Sequence, residues 1–178
     1  MLKKISSIRF LVFSCSVVAL LVIVFSMNCV KTAGPGQKSH FELIVSDRFE
    51  GVIIPKWKAS ELLKQCSRYV PVAEGYWDVT KEDVLLLERA LPEYVKSNSP
   101  RYCGKIAQDL SQYKRQYGGI IVQGRKIIYV NAALPEHEEG DSWKMEVQEY
   151  CDGGCYFWGV EFDMESGQFS NLNANGEA

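Results

Sequence analysis

The chain has 178 residues, 47% of them hydrophobic and 24% charged, and its 20 Lys and Arg nearly balance 22 Asp and Glu for a formal charge of -2. That length supports one domain, and 12% aromatics can fill a core, which excludes wholesale disorder, a collagen-like repeat and a coiled coil. A nucleic-acid partner is disfavoured as well, because duplex binding calls for a surplus of Lys and Arg on one face.

Residues 1–29 read as an export segment. Lys3, Lys4 and Arg9 precede Phe10 to Met27, a run with nothing more polar than Ser14, Cys15 and Ser16, which is the order of a secretory signal with its cationic end held in the cytoplasm. Three fates compete: cleavage after Ser26 or near Ala33, retention as a membrane anchor, or lipidation at Cys29. Each of them puts the remainder outside the cytoplasm, in the periplasm or the medium. Without this segment the chain carries 17 basic against 22 acidic residues, an acidic balance that leaves basic protein partners open. Residues 30–40 are a Gly, Pro, Lys and Ser linker, and residues 41–178 form the domain.

In chain order, Phe41 to Val45 and Val52 to Ile54 are short β-rich runs, the second stopped by Pro55. Leu62, Leu63, Cys66 and Tyr69 then share one face of a helix capped by Ser60. Thr80 and Asp83 form a capping arrangement before Val84, Leu87 and Leu91, so a helix starts at Lys81, ends or kinks at Pro92, and stops by Pro100. Tyr102 to Tyr113 forms another short helix, weakened by Gly104. The period then changes to two. Gly119 to Val122 and Lys126 to Asn131 flank Gln123-Gly124-Arg125 as a hairpin, followed by alternating strands at Trp143 to Val147 and Tyr156 to Asp163. No internal repeat is present. Helices first and strands afterwards predict an α+β fold, an antiparallel four-stranded sheet with helices packed on one face, in a cystatin-like or NTF2-like arrangement.

Chemistry-bearing patterns are sparse. Four cysteines remain after the export segment, Cys66, Cys103, Cys151 and Cys155, an even number that reads as two structural disulfides with three open connectivities. The C-x-x-x-C of Cys151 and Cys155 is not the spacing of a thioredoxin-like redox site, and a zinc site would have to recruit distant Cys66 and Cys103. His40 lies beside the linker and His137 in a charged loop without a second His at i+4, so no metal and no cofactor is expected. A nucleophilic pair of Cys66 and His137 competes with burial and disulfide formation. Asp163-Met164-Glu165-Ser166-Gly167 resembles part of a calcium loop but reads better as a hairpin turn, since the bidentate Glu further on is missing. No catalytic residue is assigned. Aromatic residues cluster near the Cys151 to Cys155 hairpin, and Tyr150, Asp152, Tyr156, Phe157 and Trp158 are the candidate interaction surface, with Phe157 facing away from Trp158.

Several short motifs recur in the order Gln65-Cys66-Ser67-Arg68, Tyr76-Trp77, Leu87-Glu88-Arg89, Tyr113 to Gly118, Ile128-Tyr129-Val130-Asn131, Cys151-Asp152-Gly153-Gly154, Phe157-Trp158-Gly159-Val160 and Asn175-Gly176-Glu177-Ala178. Across residues 57–178 they resemble a family of small exported bacterial proteins with no assigned activity. The resemblance implies a bacterial envelope setting and a shared role for Cys66 and Cys151, which leaves Cys103 and Cys155 for a second bond. The expected function is a non-enzymatic binding module for an envelope protein or small ligand. The alternatives are a small envelope hydrolase or redox enzyme, and a membrane-tethered assembly factor.

Overall fold

The computed structural model describes residues 41–134 and 140–177. The export segment, the linker with His40, and the loop with His137 lie outside these residues. The fold is α+β, built on one seven-stranded mixed sheet. Its strands are β1 (Glu42–Val45), β2 (Glu50–Ile54), β3 (Gly75–Trp77), β4 (Lys114–Val122), β5 (Arg125–Ala133), β6 (Phe157–Asp163) and β7 (Gln168–Ala174), and its helices are α1 (Lys81–Asn98) and the one-turn α2 (Lys105–Gln108). The order across the sheet is β1-β2-β4-β5-β6-β7, with β3 paired to the second half of β4. β4 to β7 form the antiparallel meander, while β2 runs parallel to the first half of β4. A parallel neighbour needs a long crossover, and β3, α1 and α2 lie in this one.

Local chemistry explains the best-formed elements. Thr80 Oγ1 accepts from the Asp83 amide at 3.3 Å while Asp83 Oδ2 accepts from the Thr80 amide at 2.9 Å, a reciprocal box that starts α1 where the sequence places it. Pro92 neither ends nor shortens the helix, which continues to Asn98. Its buried stripe runs through Val84, Leu87, Leu91 and Val95 on both sides of the proline, so burial of the stripe outweighs one missing backbone bond. Gln123 and Gly124 both take positive φ, 51° and 73°, as the two-residue turn between β4 and β5 demands.

Three expected elements differ. The Ser60-capped helix is a 3-10 turn at Ala59–Leu63 with Lys58 at its N-cap and no side-chain cap, and Cys66 and Tyr69 lie beyond it. The chain is drawn out of the helical path by Gln65, whose Nε2 donates to the Gln148 carbonyl at 3.0 Å, and by the bond from Cys66 to Cys151. Tyr102 to Tyr113 breaks into α2 flanked by 3-10 turns, because Cys103 is held by Cys155. The expected strand at Trp143 to Val147 is a 3-10 turn at Ser142–Lys144 followed by irregular chain. Its backbone finds side chains instead of a ladder: Gln116 Nε2 donates to the carbonyls of Trp143 and Glu146 at 2.8 and 2.7 Å, and Gln116 Oε1 accepts from the Gln148 amide at 2.9 Å. The four-stranded expectation is therefore replaced by a larger sheet. Its meander gains β7 and loses 143–147.

The sheet is covered on both faces. On one, the α1 stripe meets Tyr117, Ile128, Val130, Ala132, Trp158, Val160 and Phe162 in the main core. On the other, Phe41, Val52, Ile54, Leu62, Ile120, Ile127, Tyr129 and Trp143 make a smaller cluster. No helix among the described residues is long and apolar enough to cross a membrane.

Candidate functional site

Two disulfides flank the start of β6, Cys103–Cys155 against the main core and Cys66–Cys151 toward the second face. Cys66 is bonded to Cys151 and Cys103 to Cys155, with Cα separations of 4.9 and 5.4 Å, both within ordinary disulfide geometry. The segment around Cys151 to Cys155 is a loop and not a hairpin: Gly153 has φ of 92°, and a 3-10 turn at Gly154–Tyr156 leads directly into β6. Gly153 leaves room for Phe157, whose ring carbon would lie 2.5 Å from a Cβ there.

This placement changes the candidate surface. Trp158 is fully buried in the main core, with its ring edge-on to Tyr113 at 5.6 Å. Phe157 does face the other way, yet it is only 5% exposed and lies under Tyr150, whose ring stacks on it at 3.8 Å. Within the candidate interaction surface Phe157 is thus covered by Tyr150 itself. Asp152 is exposed, and Tyr150 and Tyr156 are half-buried.

Next to this loop the second face carries a polar network. Arg68 donates to Tyr129 Oη at 3.2 Å, to Asn175 Oδ1 at 2.6 Å and to Asn131 Oδ1. Asn175 Nδ2 passes the chain on to the carbonyls of Tyr150 and Asp152 at 2.7 and 3.1 Å, and Asn131 Nδ2 to that of Gln148 at 2.9 Å. Neutral acceptors thus surround a buried guanidinium and join three segments distant in sequence. Gly159 is part of the fit, since a Cβ there would lie 2.5 Å from Tyr129 Oη and 3.0 Å from Arg68 Nε.

Beyond Tyr129 the cover ends in a groove of about 330 Å³, bounded by Tyr69, Gln123, Arg125, Glu161, Asp163 and Asn171 among others. Glu161 lies opposite Tyr129 in the β5–β6 register. It is only 5% exposed. Its Oε1 accepts from Asn171 Nδ2 at 2.9 Å, where β7 carries a register shift and Asn171 has φ of 53°. Asp163, two residues along the same strand face, is bound on all sides: Oδ1 accepts from the amides of Glu165 and Ser166, both at 2.9 Å, and Oδ2 pairs with Arg125 Nη2 at 2.5 Å. Asp163 to Gly167 is therefore the β6–β7 turn, closed by the Gly167 amide on the Asp163 carbonyl at 2.8 Å. Tyr69 is 57% exposed.

Comparison with protein-family models, curated proteins and solved structures finds no match.

The two groove carboxylates are pushed in opposite directions. Burial raises Glu161 above the usual glutamate range, and the Asn171 amide offsets only part of that. For Asp163 the upward effect of burial is outweighed by the Ser166 and Glu165 amides and by Arg125, which hold it below the usual aspartate range. Among the described residues no Lys or Arg nitrogen pairs with Glu161. A buried carboxylate without a cation is costly unless something else compensates it. The other buried carboxylate, Glu88, also has a raised pKa through burial, but it has compensation within the core: Tyr117 Oη donates to it at 2.7 Å and Arg115 Nε stands at 3.5 Å.

Glu161, Arg125 and Tyr69 were not singled out by the sequence patterns. One signal was present. In the alternation of β6, Glu161 and Asp163 share the face of Phe157 and Gly159, so an acid falls in the middle of a strand buried on both sides. No group of three His, Cys, Asp or Glu able to hold a metal occurs among the described residues.

Proposed function

We propose that the chain is an exported, non-enzymatic binding module whose ligand occupies the Glu161 groove. The observation that carries this reading is a buried carboxylate with no cationic partner among the described residues, at the wall of a groove on the face that the Cys66–Cys151 disulfide helps to tie down. Rigid framing around a few placed polar groups is what small-ligand sites require. The disulfides fit an oxidising compartment, and with the apolar N-terminal run they support export and the likeness to small exported bacterial proteins. The packing of α1 on the β4–β7 meander supports a cystatin-like or NTF2-like description of that half of the fold. Against a hydrolase stands the engagement of both Asp163 oxygens, which leaves Glu161 without an available carboxylate partner. Against a thiol nucleophile stands the bonding of all four cysteines of residues 41–177.

The test is an amide-resolved NMR titration of natively exported protein with a panel of small charged and neutral polar molecules. The expected result is that shifts cluster at Arg125, Glu161 and Asn171. Shifts confined to Asp152 and Tyr156 would move the site to the cysteine loop, and an unresponsive groove would overturn the reading.

A further inference from the structure

Resting on that reading, we infer that the groove selects a cationic nitrogen, the ammonium of a primary amine or of a basic side chain, and that Glu161 is its counter-ion. The groups around Glu161 define what is missing. On its own strand stands Asp163, satisfied by Arg125 and two amides. On β5 stands Tyr129, a neutral phenol whose ionisation burial makes harder still. Behind it Arg68 gives its hydrogen bonds to Tyr129, Asn131 and Asn175. On β7, Asn171 supplies one neutral N–H, and on α1 Tyr94 is a phenol whose ionisation burial and the Glu161 charge both oppose. Among the described residues, the cation lining the groove is committed elsewhere, Arg125 to Asp163 and Glu165. The groove therefore holds one more negative than positive charge, and the uncompensated one is the least exposed.

A ligand ammonium supplies what the fold leaves out. It would pair with Glu161 in a setting screened from solvent, where a charge-assisted hydrogen bond is stronger than at the surface. Tyr69 offers an exposed ring at the rim for the same cation or its alkyl stem. Gln123, Ser170 and Asn171 add neutral hydrogen-bonding groups along the wall. A volume of about 330 Å³ suits one small amine or one long side chain. The acidic balance of residues 30–178, with 17 basic and 22 acidic side chains, draws such a ligand in.

The experiment is a calorimetric and NMR titration of natively exported protein with three probes: putrescine as a free amine, N-acetyl-lysine methylamide as a peptide side chain, and methyl glucoside as a neutral hydroxyl ligand. The amines are expected to bind, with affinity rising about tenfold per pH unit below the pKa of Glu161 and levelling off above it, because the cation prefers the ionised carboxylate. The tighter of the two amines identifies the source. Glu161→Gln is expected to weaken amine binding at least tenfold, and Tyr69→Ala, at an exposed position, about threefold. Methyl glucoside binding in the groove without amine binding would overturn the choice of cation and leave the groove as a ligand site. No response of the groove to any probe would overturn both.

Discussion

The two faces of the sheet are built by different chemistry. Beneath α1, period-3.6 and period-2 apolar patterns interlock into the main core, and its buried polar groups gather in one place, where Glu88 meets Tyr117 and Arg115. On the opposite face the apolar cluster covers only part of the sheet, and the remainder is closed by Gln65, Gln116, Asn131 and Asn175, which reach across to the backbone of loops that have no ladder of their own, and by Arg68, which ties the side chains of Tyr129, Asn131 and Asn175 together. The first arrangement draws its stability mainly from non-directional burial. The second is directional, joins residues as far apart as Arg68 and Asn175, and stops short of Glu161. Burial of apolar stripes dominates one side of this fold, and polar cross-links between distant segments dominate the other.

The largest effect is expected on the helix side. Leu91→Ala empties a fully buried site at the centre of the α1 stripe and should cost about 2–5 kcal/mol in denaturant unfolding, with the groove amides unmoved in the folded fraction. Equal disturbance of the groove would mean that the two faces are not independent.

That asymmetry also governs what could be read from the sequence. The Thr80 box, the α1 stripe, the hairpin turn at Gln123-Gly124 and the alternation of β6 are local patterns, and they stand where the pattern puts them. The α+β class followed from these. β7 escaped notice because Gln168 to Ala174 is polar and Asn-rich, with alternation broken at Asn171. Trp143 to Val147 alternates like a strand but has no strand beside it, and Gln116 takes up its backbone groups. The Ser60 helix lost to a disulfide and to Gln65 for the same reason, since partners 83 to 85 residues away leave no local trace. Of the proposed surface, Phe157 and Trp158 were placed on opposite sides by their alternation, but the lid formed by Tyr150 was not legible. His40 and His137 lie outside the described residues.

A smaller effect is expected on the polar side. Arg68→Met keeps the bulk of the stem but strips the donors from Tyr129, Asn131 and Asn175. Leaving buried acceptors unmet should cost about 1–3 kcal/mol. The loss should fall on the loops at 65–69 and 148–152, seen as faster amide exchange there than in α1. Uniform acceleration would contradict the local role given to the network.

The smallest effect concerns the groove and has a definite sign with pH. Because the folded state raises the pKa of Glu161, its contribution to stability is complete below the unfolded value and is lost as pH rises through the folded one. Asp163, lowered in the fold, contributes above its unfolded value and is lost as pH falls through the folded one. Glu161→Gln should therefore be more stable than the parent at neutral pH and indistinguishable from it in strong acid. The most direct measurement of the central claim is a carboxyl-carbon NMR titration of Glu161 and Asp163 in the ligand-free protein. Glu161 is expected above the usual glutamate range and Asp163 below the usual aspartate range; a Glu161 that titrates at or below its ordinary value would show that its charge is already compensated, and would contradict a groove waiting for a cation.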